Sequence, residues 1–428
     1  MRAIDRARVT SLDELDLGAY IRPGDGILFG QGTGEPLSLT ERLVQQRASY
    51  SGAGVFFCTT VFSNTFEAAH ADHLRFSGIG GIGTLRKLVA AGKLDPMPCH
   101  FSSIGPMLES GDIRSDVVML QVSPPNERGE HSFGLVNDHL RTAMRKARVV
   151  IAEVNSQVPW TPCDEPLRAS EITIAVHTDR APLELPPARF GDVERRIAAH
   201  LADAIPDRAT LQIGIGAIPE AIVAMLADRR DLGVHSGMIG DSVVDLMQAG
   251  AISNAHKGID AGVTVTGMLF GTQRLYRFAD RNSQIRLCHA SHTHDPATLA
   301  RVRRLVSVNS ALEVDLTGQV NAEAIGRDHI GAVAGQVDFV RAASQSPDGV
   351  SIIALPSTGK GGASKVVSRL SGPVTTARSD VDVIATEHGM ARLRGLSIRQ
   401  RVKAMVSIAA PEHRDALMRE ARELFGPF

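Results

Sequence analysis

Short runs of β-branched and other apolar residues recur along the chain, and longer stretches with helical spacing of apolar positions separate them. Strands that alternate with helices predict parallel sheets covered by helices. The stretch 177–192 is rich in proline and charge without a clear period, which favours a linker between domains. The pattern therefore predicts an α/β fold in two domains, residues 1–185 and residues 190–428. The eight clearest strand runs are GDGILFGQG, AGVFFCTTVF, VVMLQVS, ARVVIAEVN, ATLQIGIG, RLVSVNSALEV, GVSIIALPS and VDVIATEHG.

The two halves of the chain carry similar motifs in the same order. An early stretch, ILFGQGTGEPLSLTERLV, resembles LQIGIGAIPEAIVAML at 211–226, each with a strand, a Gly-x-Gly turn, a proline and a helix. A later one, VVMLQVSPPNERGEHSFG at 117–134, resembles VNSALEVDLTGQVNAEAIG at 308–326. Motifs that recur in one order indicate a duplication. We therefore expect two related α/β domains in tandem.

A stretch at 231–246, DLGVHSGMIGDSVVDL, has the residue types of a catalytic site. It contains no GxSxG motif, and adjacent residues such as His235 and Ser236 do not arrange themselves as nucleophile and base. Asp241 precedes an amphipathic run and is typical of a helix N-cap. By local chemistry we interpret the stretch as a strand-to-helix loop.

Composition excludes several classes of function. The 428 residues carry a formal net charge of −1, whereas nucleic-acid binders are markedly basic. No apolar run reaches the roughly 18–20 residues that span a bilayer, and the first fifteen residues lack the apolar core of a secretory signal. The four cysteines are far apart and form no CxxC pair. These features predict a reduced, cytoplasmic protein with no nucleic-acid or membrane partner.

Two glycine-rich turns follow predicted strands. The first, GIGAIP at 214–219, opens a helix whose free N–H groups suit a phosphate or carboxylate, although Pro219 excludes a dinucleotide fingerprint. The second, STGKGG, places Gly361 and Gly362 after Lys360, so that backbone amides beside a cation suit an oxyanion or a phosphate. Tight turns without a ligand are the alternative in both cases.

Polar residues elsewhere are less specific. Asn309 within a predicted strand must be satisfied, either by a loop or within a site. Glu313 and Asp315 alternate and are expected to face solvent together. The histidine pairs in EAAHADHL and ASHTHDP lack a third ligand at metal spacing, so no metal site is predicted.

Together these motifs resemble the acetyl-CoA hydrolase/transferase family, the class I CoA-transferases that include 4-hydroxybutyrate CoA-transferases. The resemblance implies two tandem domains of the NagB/RpiA/CoA-transferase-like type with the active site at their interface, and a homodimer or higher homo-oligomer. The matching stretches, in family order, are VIAEVNSQVPWTPCD, LQIGIGAIP, DLGVHSGMIGDSVVDL, GTQRLYRFADRN, VNSALEVDLTGQVNAEAIG, GQVDFVRAA, STGKGGASKVVSRL, VTTARSDVDVIATEHGMARLRG and IAAPEHRDAL.

The resemblance implies transfer of CoA between short-chain or dicarboxylic acids through glutamyl-anhydride and glutamyl-CoA thioester intermediates. Coenzyme A and acyl-CoA are then substrates, and no bound cofactor is expected. Asn309 matches the residue that positions the catalytic carboxylate. The positions that match the family's CoA-binding residues are Gly214, Ile215, Gly216, Ala217, Ile218, Gly335 and Lys360.

The chain departs from the family pattern at two places. Where the family typically reads H-T-E-M with a nucleophilic glutamate, this chain has Gly237. The segment 332–335, AVAG, has fewer glycines than the family, which weakens the assignment of Gly335. Because the neighbouring positions match, the first change removes one side chain from an otherwise typical segment.

Three explanations for the missing glutamate remain open. A glutamate from elsewhere replaces it, with Glu67 preferred because it follows a long apolar strand beside two histidines, and with Glu35 second. Alternatively the protein is an acyl-CoA thioester hydrolase that activates water without a covalent intermediate. A third hypothesis is a non-catalytic protein that binds CoA esters. We take Glu67 and Asn309 as the predicted catalytic pair.

Overall fold

The computed structural model describes residues 7–426. Residues 1–6 belong to the N-terminal stretch predicted to carry no signal, and they lie outside the described residues together with 427–428. Within the described chain, no helix is both long and apolar enough to cross a bilayer.

Strands and helices are numbered in chain order. The strands are β1 Arg8–Thr10, β2 Gly26–Phe29, β3 Gly54–Phe57, β4 Arg75–Gly78, β5 Leu94–Pro96, β6 Val117–Val122, β7 Glu130–His131, β8 Val149–Asn155, β9 Leu167–Arg168, β10 Ile174–Thr178, β11 Thr210–Ile213, β12 Gly233–Ile239, β13 Thr264–Leu269, β14 Ile285–Leu287, β15 Leu305–Ser310, β16 Glu313–Asp315, β17 Val320–Asn321, β18 Ala324–Ile325, β19 Asp328–His329, β20 Val350–Ala354, β21 Val366–Val367, β22 Val383–Thr386 and β23 Gly389–Arg392. The helices are α1 Leu37–Gln45, α2 Arg86–Ala90, α3 Phe101–Ser110, α4 Leu140–Lys146, α5 Asp192–Ala202, α6 Ala217–Ala224, α7 Asp241–Gln248, α8 Gln273–Ala279, α9 Ala290–Thr293, α10 Pro296–Leu299, α11 Gln336–Gln345, α12 Ile398–Ile408 and α13 Pro411–Phe425. Each of the eight predicted strand runs contains a strand, so those predictions are confirmed.

The chain divides into two compact units. Unit 1 comprises Met1–Pro186 and Val265–Asp295, and unit 2 comprises Pro187–Thr264 and Pro296–Phe428. The division differs in one respect from the predicted domains 1–185 and 190–428, because the segment from Val265 to Asp295 packs with the first. Backbone hydrogen bonds hold it there, for example from Leu269 to the carbonyl of Leu135 at 2.8 Å. No local sequence pattern predicts that this segment packs with unit 1.

Unit 1 is built on eight parallel strands in the order β1-β10-β8-β6-β2-β3-β4-β5. Its central strands are buried along their whole length, as expected for a parallel sheet covered on both faces. Four phenylalanines pack together on one face with ring centroids 5.3–6.0 Å apart, namely Phe29, Phe57, Phe66 and Phe76.

Six strands of unit 2 run in the order β12-β11-β15-β20-β22-β23, of which β23 alone among these six is antiparallel to its neighbour. Five strands in each unit follow one topology, since β10-β8-β6-β2-β3 corresponds to β22-β20-β15-β11-β12 in chain order as well as in position. The predicted repeat is therefore confirmed at the level of strand order. In open sheets ligands bind beyond the carboxyl ends of the strands where the order reverses, which here means beyond β2 and β6, and beyond β11 and β15.

The interpretation of 231–246 as a loop is wrong, because residues Gly233–Ile239 form β12. Gly240 caps the following helix and Asp241 is its first residue, so Asp241 is not the N-cap. A polar side chain within this buried strand is accommodated where it finds a hydrogen-bond partner inside the sheet. The Ser236 hydroxyl, for example, donates to the carbonyl of Ile213 at 3.2 Å.

The expectation that Glu313 and Asp315 face solvent is also wrong. Both are buried, at 8% and 3% exposure. Glu313 accepts hydrogen bonds from Asn321 Nδ2 and from the backbone of Ser371, at 2.9 and 2.6 Å. Asp315 accepts from the Thr317 backbone at 2.8 Å. Charge-assisted hydrogen bonds of this kind make up for lost hydration.

Candidate functional site

The loop between β11 and α6 leaves open space beside its backbone. Gly216 has φ +125°, a conformation that residues with side chains rarely adopt. Among the described residues, no heavy atom lies within 4 Å of where a Cβ on Gly214 or Gly216 would stand, and Ile215 is 37% exposed. Free amides at a helix start beside open space suit an anionic ligand. Assignment of this loop to CoA stays a prediction.

The last two residues of that predicted set lie inside the helix. Ala217 and Ile218 are the first two residues of α6, and the Ile218 side chain is 7% exposed. Their backbone N–H groups belong to the first turn, which α-helices leave without an intrahelical acceptor. A ligand at this loop would therefore meet the backbone of Ile218 and not its buried side chain.

A second loop closes on itself after β20. Lys365 N donates to the Ser357 carbonyl and Gly359 N donates to the Ala363 carbonyl, both at 2.8 Å. The tip is a 3-10 turn, Lys360–Gly362, whose two glycines have φ +76° and +80°. Lys360 is exposed. The sequence-predicted residues at the tip thus face solvent on a loop whose ends are fixed.

Asn309 lies near the carboxyl end of β15 and is half-buried. Its Nδ2 donates to the Oε1 of Gln212 in β11 at 3.1 Å, so the carboxamide is held between adjacent strands. It pairs with Ile353 of β20, the strand that leads into the second loop. The carboxyl edge of the unit 2 sheet therefore brings together the first glycine loop, Asn309 and the loop at 357–365.

Gly335 directly precedes α11 with an ordinary backbone conformation, φ −85°. Its neighbour is the exception, because Ala334 has φ +46°, in the left-handed region. This is the segment where the chain has fewer glycines than the family it resembles. Ala334 therefore holds a conformation that glycine adopts without strain.

Sequence reasoning missed Glu387 and Lys365 at the same edge of unit 2. Ser357 donates to the Glu387 carboxylate through its backbone N at 2.8 Å and its hydroxyl at 2.7 Å. Burial acts to raise the pKa of Glu387, but the Ser357 hydrogen bonds and nearby His388 together lower it. Burial lowers the pKa of Lys365, against the attraction of Glu387. The position of Glu387 directly after a buried strand is the signal that could have identified it.

In unit 1 the notable carboxylate is Glu35, which follows the turn Gly32–Gly34 beyond β2 and is 0% exposed. Its Oε1 accepts hydrogen bonds from Thr40 Oγ1 and Ser63 Oγ, each at 2.9 Å. In the described part of the chain its Oε2 has no hydrogen-bond partner. Burial raises the pKa of Glu35 to about 7, and the hydroxyl hydrogen bonds only partly oppose that rise.

The Glu35 carboxylate lies one hydroxyl away from a surface cleft. Ser63, which donates to it, also lines a cleft walled by Leu37, Thr65 and Arg180. Arg180 forms a two-pronged ion pair with Glu41 at the rim, with N···O distances of 2.7 and 2.8 Å. Ser63 therefore connects the buried acid to the wall of this cleft.

Glu67, the preferred candidate from the sequence, is exposed. It precedes the 3-10 helix Ala68–Asp72, and its backbone N donates to His70 Nδ1 at 3.1 Å. The neighbouring histidine thus contacts the Glu67 backbone. The assignment of Glu67 as a catalytic residue stays a prediction.

Within residues 7–426, no group of three or more His, Cys, Asp or Glu side chains is arranged to hold a metal ion.

Family models match most of the chain. The acetyl-CoA hydrolase/transferase N-terminal domain matches residues 8–185, and the C-terminal domain of the same family matches residues 271–421.

Individual relatives span nearly the whole chain. The 4-hydroxybutyrate coenzyme A transferase of Clostridium kluyveri is 38% identical, over 93% of this chain and 94% of its own. Among solved structures, RipA from Yersinia pestis has a TM-score of 0.92 at 29% identity, and the 4-hydroxybutyrate CoA-transferase of Porphyromonas gingivalis has 0.83 at 34%, each over 98% of both chains. An acetyl-CoA hydrolase of Yarrowia lipolytica is 25% identical, over 71% of this chain and 65% of its own.

The strain at Ala334 predicts that Ala334→Gly stabilises the protein. A left-handed conformation costs a non-glycine residue ~1–2 kcal/mol, and the extra freedom of glycine in the unfolded chain returns ~0.4–1 kcal/mol of that. We expect the free energy of unfolding in urea to rise by roughly 0.5–1 kcal/mol. Ala332→Gly, at an ordinary backbone conformation, is the control and should lower it. Loss of stability in the Ala334 variant would contradict the strain argument.

The buried Glu35 carboxyl predicts that the free energy of unfolding depends on pH. Because its pKa rises from 4.5 unfolded to about 7 folded, the folded state holds a proton that the unfolded state has lost. Stability therefore falls as pH rises from 4.5 to 7, by about 3 kcal/mol at ~1.36 kcal/mol per pKa unit. Urea titrations at pH 5, 6, 7 and 8 should show that this decline is smaller in Glu35→Gln. Exposed Glu67→Gln should follow the wild type; parallel curves for all three proteins would refute the prediction.

Proposed function

Because the chain belongs to the acetyl-CoA hydrolase/transferase family, we propose that it is an acyl-CoA:carboxylate CoA-transferase whose nucleophilic carboxylate is not at position 237. Its proposed substrates are acyl-CoA and short-chain or dicarboxylic acids. Relatives named as CoA-transferases, at 31–38% identity over most of the chain, support the reaction class. The cytoplasmic location and the homo-oligomeric state remain predictions.

The proposed reaction requires a carboxylate on the protein. A glutamate oxygen attacks the thioester carbonyl, the C–S bond breaks, and an acyl-glutamyl anhydride and CoA thiolate result. The thiolate then attacks the glutamyl carbonyl of the anhydride, which releases the first acid and leaves a glutamyl-CoA thioester. The acceptor acid reverses these two steps and leaves as its CoA ester. Gly237 has no side chain and cannot serve.

The environment of the Glu35 carboxylate is the observation that supports the proposal. Its carboxylate is buried, one oxygen is held by two hydroxyls, and the other has no partner among the described residues. Exclusion of water matters because both covalent intermediates hydrolyse. The exposed carboxylate of Glu67 lacks that protection. The geometry therefore favours Glu35 over Glu67, the residue that the sequence pattern favours.

A hydrolase is the second candidate function. A carboxyl with a pKa of about 7 is also suited to act as a general base on water at neutral pH. The relative named as an acetyl-CoA hydrolase adds support. In that reaction no glutamyl adduct forms and no acceptor acid is needed. A non-catalytic protein that binds CoA esters would show neither turnover nor adduct.

The decisive experiment traps the intermediate. The protein is incubated with acetyl-CoA alone, treated with borohydride or hydroxylamine, digested and sequenced by mass spectrometry. We expect the modified glutamate to be Glu35. Glu35→Gln should lose at least about 10³-fold in kcat, whereas Glu67→Gln should retain activity and the same label.

Each other outcome selects a different hypothesis. A label on Glu67 would overturn Glu35 and support the preference drawn from the sequence. A lack of any glutamyl label, with CoA released steadily in the absence of an acceptor acid, would establish the hydrolase. Binding of acetyl-CoA with neither turnover nor label would leave the non-catalytic protein. As a rescue, Gly237→Glu in the Glu35→Gln background should restore turnover and move the label to residue 237.

A further inference from the structure

Lys365 is held firmly at the end of the loop that begins at Ser357. Its backbone N donates to the Ser357 carbonyl at 2.8 Å, and its own carbonyl accepts from Val314 N at 2.9 Å. The next residue, Val366, pairs with Val314 as β21 joins β16. Since both backbone groups are fixed, the fold sets the direction in which the side chain leaves the loop.

The Lys365 side chain extends along the inside of that loop. Its Cε is 3.7 Å from the position that a Cβ on Gly359 would occupy. The residue is half-buried, and burial lowers its pKa, with Glu387 as the opposing charge. Within the described chain its ammonium donates no hydrogen bond and forms no ion pair.

The nearest compensating charge does not satisfy this ammonium. The Glu387 carboxylate accepts both hydrogen bonds from Ser357 and makes none with Lys365. A partly dehydrated ammonium that makes no hydrogen bond to the protein has donors free for a ligand, so an anion can bind there with gain. The same edge of the sheet carries Asn309 and the first glycine loop.

We propose that Lys365 binds the carboxylate of the acid substrate. This inference rests on the proposed function, which brings a free carboxylate to the protein in each half of the reaction. An ammonium is a compact point charge, and a half-buried one suits a single small anion. Lys360 on the same loop is exposed and suits a solvated phosphate of CoA. In this proposal Lys365 binds the acid and Lys360 binds CoA.

The test compares the two lysines. Lys365→Gln should raise the KM and the dissociation constant for butyrate and succinate by about 10–100-fold, the range expected for loss of a hydrogen bond to a charged group. The dissociation constant for CoA should change less than about threefold. Lys365→Arg should restore part of the affinity for the acids. Lys360→Gln, the control, should weaken CoA and leave the acids unchanged.

Acid binding is measured by saturation-transfer NMR as well as by kinetics, after circular dichroism has shown that each variant is folded. A loss of CoA affinity in Lys365→Gln without a change for the acids would overturn the inference, as would no change for either. If the wild type transfers no CoA, the proposed function fails by itself. The NMR measurement then still decides on Lys365, since acid binding by the wild type and not by Lys365→Gln supports it, and no binding by either refutes it.

Discussion

Both candidate sites depend on the order of the parallel strands. In unit 1, β2 lies between β3 and β6, and in unit 2, β11 lies between β12 and β15. Connections that leave such a strand pair in opposite directions open a crevice beyond their carboxyl ends. The loops that follow these strands form the walls of such a crevice. Glu35 follows the first of these loops, and Asn309 lies beside the second.

The fold could be predicted from the sequence where burial alone decides. Continuous β-branched runs such as those of β6 and β8 are apolar because helices cover both faces of the sheet. Prediction of the fold failed where a structure depends on hydrogen-bond partners that are distant in the sequence. Ser236 is compatible with a buried strand only because the carbonyl of Ile213 accepts from it, and that contact lies 23 residues away along the chain. The return of Val265–Asp295 to unit 1 is likewise a tertiary effect.

The candidate site shows the same limit. Asn309 and the glycine loops could be found because strand ends and turn residues are local signals. The order of Glu67 and Glu35 could not, because it depends on burial and on Ser63, which lies 28 residues from Glu35. Glu387 was missed for a similar reason, since its hydroxyl and amide donors come from Ser357, 30 residues earlier. A sequence pattern predicts which side chains lie at a strand end, but it does not predict which of them is buried.

Two buried carboxyls with opposite pKa shifts indicate two different roles. Glu387 receives backbone and hydroxyl donors from Ser357, stays ionised, and anchors the loop that carries both lysines. Glu35 also accepts two hydrogen bonds, from Thr40 and Ser63, but burial outweighs them, so its neutral form is favoured up to about pH 7. Formation of an acyl anhydride removes the charge of a carboxylate just as protonation does. The burial that raises the pKa of Glu35 therefore also favours a covalent glutamyl adduct over the free carboxylate, whereas at Glu387 the same reaction would abandon hydrogen bonds that hold the loop.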